Sequence, residues 1–124
     1  MTKGSCLCGA VTYELTQFEG SIIFCHFHFC QKANGTAFSA NAMIPRDNFH
    51  LLTDEDNLVA YESSPGKTRY FCATCFNPIW HEKADQPELI TLRLGSLDQV
   101  DDTNFDNIER KHTNLESQPA WLGD

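Results

Sequence analysis

Two close pairs of cysteines, Cys6-Leu7-Cys8 near the start and Cys72-Ala73-Thr74-Cys75 past the middle, stand about sixty residues apart. Each pair fits on one tight turn and can aim two sulfurs at a common point. Structural zinc takes four ligands in a closed tetrahedron, commonly thiolates. One ion held by Cys6, Cys8, Cys72 and Cys75 would tie the first strand to the middle of the chain. Disulfides are the competing use, but neighbours this close pair poorly, because a disulfide requires a particular Cα separation and Cβ direction. Thiol–disulfide oxidoreductases also carry C-x-x-C, where the motif opens a helix. Here Asn77-Pro78 follows Cys75, and the residue before a proline is steered away from helical backbone.

The remaining composition supports the metal. The opening MTKGSCLCGA lacks the apolar core of a secretory signal, and no apolar run is long enough to span a bilayer. The expectation is a cytoplasmic protein away from membranes, in a reducing compartment where clustered cysteines bind metal. A length of 124 residues with 41% hydrophobic content suits one domain over 1–124 with a modest core. Seventeen acidic residues against nine basic ones, net −8, argue against nucleic acid, whose phosphates need Lys and Arg. The acidic runs Asp54-Glu55-Asp56, Asp98, Asp101-Asp102 and Asp106 read as solvated surface.

Strand-like alternation recurs along the chain. Residues 10–15 place Val11, Tyr13 and Leu15 on one face, and 37–44 do the same with Phe38, Ala40, Ala42 and Ile44, up to Pro45. Ser21–Cys25, Phe49–Leu52, Leu58–Glu62 and Lys67–Phe71 are shorter candidates, with a turn at 63–67. Glu88–Leu94 is the clearest strand, and Trp80 and His81 fall on another, with His81 facing water. One helical turn is expected at Gln31-Lys32-Ala33, broken by Asn34-Gly35, and a second near Leu97-Asp98. Many short strands between turn signals imply a mainly β fold.

A second constellation reads Cys25-His26-Phe27-His28-Phe29-Cys30. As a metal site with an open position it needs a third ligand beside Cys25 and Cys30, and His26 and His28 are within reach. As plain structure, strand alternation would send Phe27 and Phe29 into the core and His26 and His28 to water.

Taken together, Gly4–Val11, Cys25–Cys30 with Gln31-Lys32, Gly35 with Phe38, Ser63–Gly66, Phe71–Cys75 and Leu94–Asp98 occur in the order found in one known family. A weaker match lies in Glu116-Ser117 with Trp121. The chain resembles the glutathione-dependent formaldehyde-activating enzymes, a family that includes the centromere protein V group. The resemblance covers nearly the whole chain. It implies a zinc-bound, β-tent-like fold of short antiparallel strands in two layers, with structural zinc on Cys6, Cys8, Cys72 and Cys75. It also implies a second zinc on a C-x-C-x-x-C motif that activates a thiol. The family's nominal reaction adds glutathione's sulfur to formaldehyde, giving S-(hydroxymethyl)glutathione, and is classed with the carbon–sulfur lyases.

Two positions depart from the family pattern. Phe27 replaces the middle cysteine of the second motif, leaving Cys25 and Cys30; either His26 or His28 completes the set, or the site holds no metal. Phe76 replaces the glycine that follows the last cysteine, which brings strain if that position needs positive φ. Two functions follow as expectations. One is a lyase with Cys25, Cys30 and His28 at its zinc. The other is a non-catalytic zinc module that binds glutathione, another small thiol or a protein partner. Trp80 and Trp121 read as core or partly buried packing residues; for Arg93 and Lys32 the two readings are contact with a substrate carboxylate and solvated surface, and the second is preferred. His112 stands where the family tends to carry a histidine, with a pocket role as its candidate use.

Overall fold

The alternation seen in the sequence becomes two facing sheets. The computed structural model describes residues 2–18, 20–100 and 108–123, so Asp101, Asp102 and Asp106 lie outside the described residues. In chain order the elements are β1 (Thr2–Ser5), β2 (Thr12–Leu15), β3 (Ile22–Cys25), α1 (His28–Asn34), β4 (Ser39–Pro45), β5 (Phe49–Leu51), β6 (Leu58–Ser64), β7 (Lys67–Cys72), β8 (Pro78–Lys83), β9 (Leu89–Arg93), β10 (Leu97–Gln99) and β11 (Arg110–Thr113). One sheet has the order β10-β1-β2-β5, the other β11-β3-β4-β9-β8-β7-β6. The pairings are antiparallel except for β11, which runs parallel to β3. The mainly β, two-sheet architecture expected from the sequence is therefore present. Among the described residues no helix is long and apolar enough to cross a membrane.

Register sorts the large sheet into two faces, because successive side chains point opposite ways. Ile22, Ala42, Leu92, Trp80 and Tyr70 stand opposite one another across β3, β4, β9, β8 and β7. This row packs on Tyr13 and Leu15 of β2 and on Val11 just before it, all fully buried. A run of rings crosses from one sheet to the other: Tyr13 meets Phe49 at 5.2 Å within the small sheet, Phe49 meets Trp80 of the large sheet at 5.0 Å, and Trp80 stacks on Tyr70 beside it at 4.5 Å. The other face carries Asn41 beside Arg93, and a row Met43, Thr91, His81, Arg69 and Tyr61. Cys25 and Ser39 belong to that same polar face.

Several elements carry no periodic signal. β1 reads Thr-Lys-Gly-Ser and is held by backbone pairing with β2 and β10. Its Gly4 is required by packing: a Cβ there would lie 2.2 Å from the Tyr13 ring. β11 reads Arg-Lys-His-Thr and is held by its ladder with β3. The helical turn expected at Leu97-Asp98 is instead strand β10, preceded by a 3-10 turn at Leu94–Ser96, because Leu97 pairs with Gly4. The single turn expected after Cys30 is a seven-residue helix that begins at His28 and stops where Gly35 takes φ 69°.

Three surface assignments are corrected. His81 and Arg93, expected in solvent, are buried, because β8 and β9 lie inside the large sheet and are covered on both faces. Trp121, expected in or near the core, is 73% exposed on a terminal 3-10 turn; Trp80 is buried and Lys32 exposed.

Burial, with the positive charges of Arg93, Lys67 and Arg69 nearby, drives the His81 imidazole down to about 2. The unfolded chain takes up a proton below about pH 6.5 while the native state does not, so stability falls as pH drops from there. His81→Gln should lessen the loss of urea stability between pH 6.5 and 5 by about 2 kcal/mol. An unchanged pH dependence in that variant would show that His81 ionises in the native state.

Candidate metal centre and the second cysteine pair

The Cys6–Gly9 turn leaves β1 and enters β2, while Cys72 ends β7 and Cys75 lies in the turn before β8. The first turn belongs to the small sheet and the second to the large one. Side-chain and backbone amides stitch them together: Leu7 N–H donates to Asn77 Oδ1 at 3.0 Å, Asn57 Nδ2 to the Ala10 carbonyl at 3.0 Å, and Ala73 N–H to the Asn57 carbonyl at 2.8 Å. The result brings together the four sulfurs singled out by spacing.

Sulfurs of Cys6, Cys8, Cys72 and Cys75 all lie within 4.8 Å of one another. Cys6 to Cys8 is 3.6 Å and Cys8 to Cys72 is 3.7 Å. A tetrahedron with metal–sulfur bonds of about 2.3 Å has edges of about 3.8 Å, so the spacing fits zinc. All six cysteines are free thiols. Amide donors already point at the sulfurs: Val11 N–H at Cys6 (3.3 Å), and Thr74 and Cys75 N–H at Cys72 (3.3 and 3.4 Å). Burial opposes ionisation of Cys75, yet backbone donors at Asn77 and Cys8 outweigh it and bring the thiol down to about 6. For Cys8 a backbone bond at Ala10 favours the thiolate, but burial and the sulfurs of Cys6, Cys72 and Cys75 push it up to about 11. Four sulfurs at one point cannot all carry charge unaided, whereas a divalent cation at their centre would offset half of that charge and bind each thiolate directly. The cluster can hold a metal ion, and its donor set suits zinc.

Phe76, where the family pattern has glycine, takes φ 61°, a left-handed conformation that costs an L-residue roughly 1–2 kcal/mol. Its N–H bonds the Cys72 carbonyl at 2.9 Å, closing the turn, and its ring is exposed.

The second pair is different. Cys25 ends β3 and Cys30 is the third residue of α1; their sulfurs are 3.0 Å apart, with Asn114 Oδ1 3.8 Å from Cys25. Neither histidine joins them. His26 is buried between the rings of Phe38 and His112, at 4.9 and 5.2 Å, and its Nε2 meets His112 Nδ1 at 3.0 Å. Burial, then the neighbouring His112, lowers its affinity for a proton. His28 is exposed at the start of α1. The expected third ligand is thus absent: the one group of three or more metal-ligating side chains among the described residues is the four-cysteine cluster. The alternative pattern, Phe27 and Phe29 inward with His26 outward, is also reversed. The chain turns into a helix at Phe27, so strand alternation ends there, leaving Phe27 39% and Phe29 61% exposed.

Basic side chains from the polar face act electrostatically on this pair. The Arg93 guanidinium donates to Asn34 Oδ1 (3.1 Å) and Asn41 Oδ1 (2.8 Å), and Arg69 Nε donates to Ser63 Oγ (2.8 Å). Arg69 Nη1 and His81 Nδ1 are buried without a partner. Burial pulls Arg69 down, and the groups that act on it in return are the sulfurs of Cys30 and Cys25. Lys67 acts on both sulfurs as well. Burial pushes Cys30 up; it also opposes ionisation of Cys25, but hydrogen bonds from Cys30 and the Phe27 backbone bring Cys25 below the usual thiol range. A groove of about 390 Å³, lined by Phe29, Lys32, Tyr61, Ser63, Arg69 and Phe71, opens beside Arg69. A larger cleft of about 490 Å³ lies on the apolar side, where Arg46 and Glu82 are already paired at 2.9 Å. Lys67, Arg69, Ser39 and Asn41 were not singled out from sequence. The usable signal was the spacing Lys67-x-Arg69, which puts both charges on one strand face.

Comparison with known proteins bears on the family and the fold. The model of a family described as "Glutathione-dependent formaldehyde-activating enzyme" matches residues 1–113. A crystal structure of a Rhodobacter sphaeroides protein from a structural genomics programme has the same fold, with a TM-score of 0.69 at 24% identity. The match covers 90% of this chain and 99% of that one. No curated protein matches.

Replacing Cys72 with serine should unfold the protein, because structural zinc contributes on the order of 10 kcal/mol and folded domains have little more than that to spare. Soluble Cys72→Ser protein with an unshifted melting temperature would contradict this. Phe76→Gly should raise the unfolding free energy by about 0.5–1 kcal/mol, since relief of the left-handed backbone outweighs glycine's extra unfolded-state entropy. Denaturant titration of both variants checks the two expectations, and a destabilised Phe76→Gly would refute the strain.

Proposed function

We propose that this chain, which belongs to the glutathione-dependent formaldehyde-activating enzyme family, is a one-zinc protein that binds a small anionic thiol at Cys25 and Cys30 rather than a two-zinc lyase. The observation that carries this is the contrast between four sulfurs at tetrahedral spacing and two sulfurs with no third ligand. Zinc at the first site has all four positions filled by protein and supplies structure, not an open coordination position. The nominal lyase mechanism requires a metal at the second site, and Phe27 removes a ligand that His26 and His28 do not replace.

The surroundings of the second pair favour an anion. Lys67, Arg69 and Arg93 act on the two sulfurs, inside a chain whose net charge is −8. Buried cations oppose a further dication and attract carboxylates or thiolates. Glutathione, with two carboxylates and one thiol, fits that chemistry. Its sulfur would meet the Cys25 side and its carboxylates the basic rim of the groove formed by Lys32 and Arg69.

Elemental analysis of protein purified without added zinc should give about one zinc per chain. The same protein should bind glutathione, measured by calorimetry, with affinity that weakens as salt rises. It should not accelerate formation of S-(hydroxymethyl)glutathione from formaldehyde. Two zinc ions per chain together with zinc-dependent acceleration would overturn the proposal.

A further inference from the structure

We infer that Cys25 and Cys30 form a redox dithiol that exchanges with low-molecular-weight disulfides of anionic thiols, an activity that rests on the second pair being free of zinc as proposed above. The geometry has four parts. The sulfurs are already 3.0 Å apart, so a bond of about 2.05 Å requires a movement of about 1 Å. The connecting backbone is braced: Gln31 Nε2 donates to the carbonyls of His26 and Ser117, both at 2.8 Å. Access is unequal. Cys25 is half-buried, while Cys30 is 5% exposed, so an incoming disulfide meets Cys25 first.

The fourth part is charge. Arg69, itself 6% exposed, keeps Nη1 without a partner on the face that carries Cys25. Arg69 donates Nε to Ser63 Oγ, and the negative charge that acts on it comes from the two sulfurs. A buried guanidinium in this position stabilises negative charge on sulfur, which is the nucleophilic form in exchange. It also attracts a disulfide whose own groups are carboxylates. Family C-x-C-x-x-C chemistry needs three cysteines, whereas exchange needs two.

The steps balance without an outside electron source. The Cys25 thiolate attacks one sulfur of R–S–S–R; that S–S bond breaks and one R–S⁻ leaves, giving a mixed disulfide on Cys25. The Cys30 thiolate then attacks the Cys25 sulfur; the Cys25–S–R bond breaks and the second R–S⁻ leaves. The protein dithiol is oxidised by two electrons and the small disulfide is reduced to two thiols, which take up the protons released by Cys25 and Cys30. Two molecules of small thiol run the sequence in reverse.

The test uses zinc-loaded full-length protein, glutathione disulfide as probe, alkylation with N-ethylmaleimide, and peptide mass mapping with zinc counted in parallel. The expected result is a Cys25–Cys30 disulfide, seen as the loss of two hydrogens, with one zinc retained. Cys30→Ser should accumulate a mixed disulfide of Cys25 with one glutathione, and Cys25→Ser should slow the reaction at least about tenfold. Full alkylation of both thiols after incubation, with one zinc still bound, overturns the exchange activity and leaves the one-zinc proposal standing. Resistance of both thiols to alkylation before any oxidant is added, with two zinc ions per chain, overturns both.

Discussion

Four sulfurs meeting at one point hold this molecule's two sheets in a single frame. Cys6 and Cys8 arrive on the small sheet, Cys72 and Cys75 on the large one, and the turns that carry them are cross-bonded through Asn57 and Asn77. Cys6 and Cys72 are also buried members of the hydrophobic core, so the metal cluster and the core are continuous. β1 has four residues, one of them a glycine that packs under Tyr13. So short a strand has little apolar surface of its own to hold it in place. A metal ion held by the cluster would remove that weakness by joining the chain's start to its middle across 64 residues.

With the frame fixed elsewhere, the opposite face of the large sheet is free to carry costly chemistry. Arg69, His81 and Arg93 are all at most 6% exposed there, and two of them have a nitrogen without a partner. Each such group costs folding free energy, on the order of 1–3 kcal/mol for a lost bond. A chain that selects charge and polarity at these positions, rather than apolar packing, has a use for a positive potential beside Cys25 and Cys30. On the reading proposed above, that potential disfavours a dication and favours thiolate at the second pair.

The four-sulfur cluster was legible in the sequence because ligand spacing is local: each pair sits on its own turn, and only the meeting of the pairs is tertiary. Strands β2, β4 and β9 were legible from alternation, since each packs one face on the core. What escaped has a common cause. β1, β10 and β11 are held by backbone ladders, so none carries a one-sided hydrophobic pattern. The same applies to His81 and Arg93: polar residues were assigned to water, and position in the middle of a seven-stranded sheet overrode that rule. At Cys25–Cys30 the switch from strand to helix at Phe27 reversed the in–out assignments of His26, Phe27 and Phe29 made on strand geometry, while His28 stays exposed. The cluster's capacity to hold a metal, by contrast, rests on donor type and distance, which are visible in sequence and structure alike.

X-ray absorption at the zinc edge of the purified protein measures the central claim most directly. It should show a single zinc environment of four sulfurs at about 2.3 Å, with no nitrogen or oxygen in the inner shell. A shell that includes nitrogen or oxygen, or a sulfur count below four, would contradict a closed thiolate centre joining the two sheets.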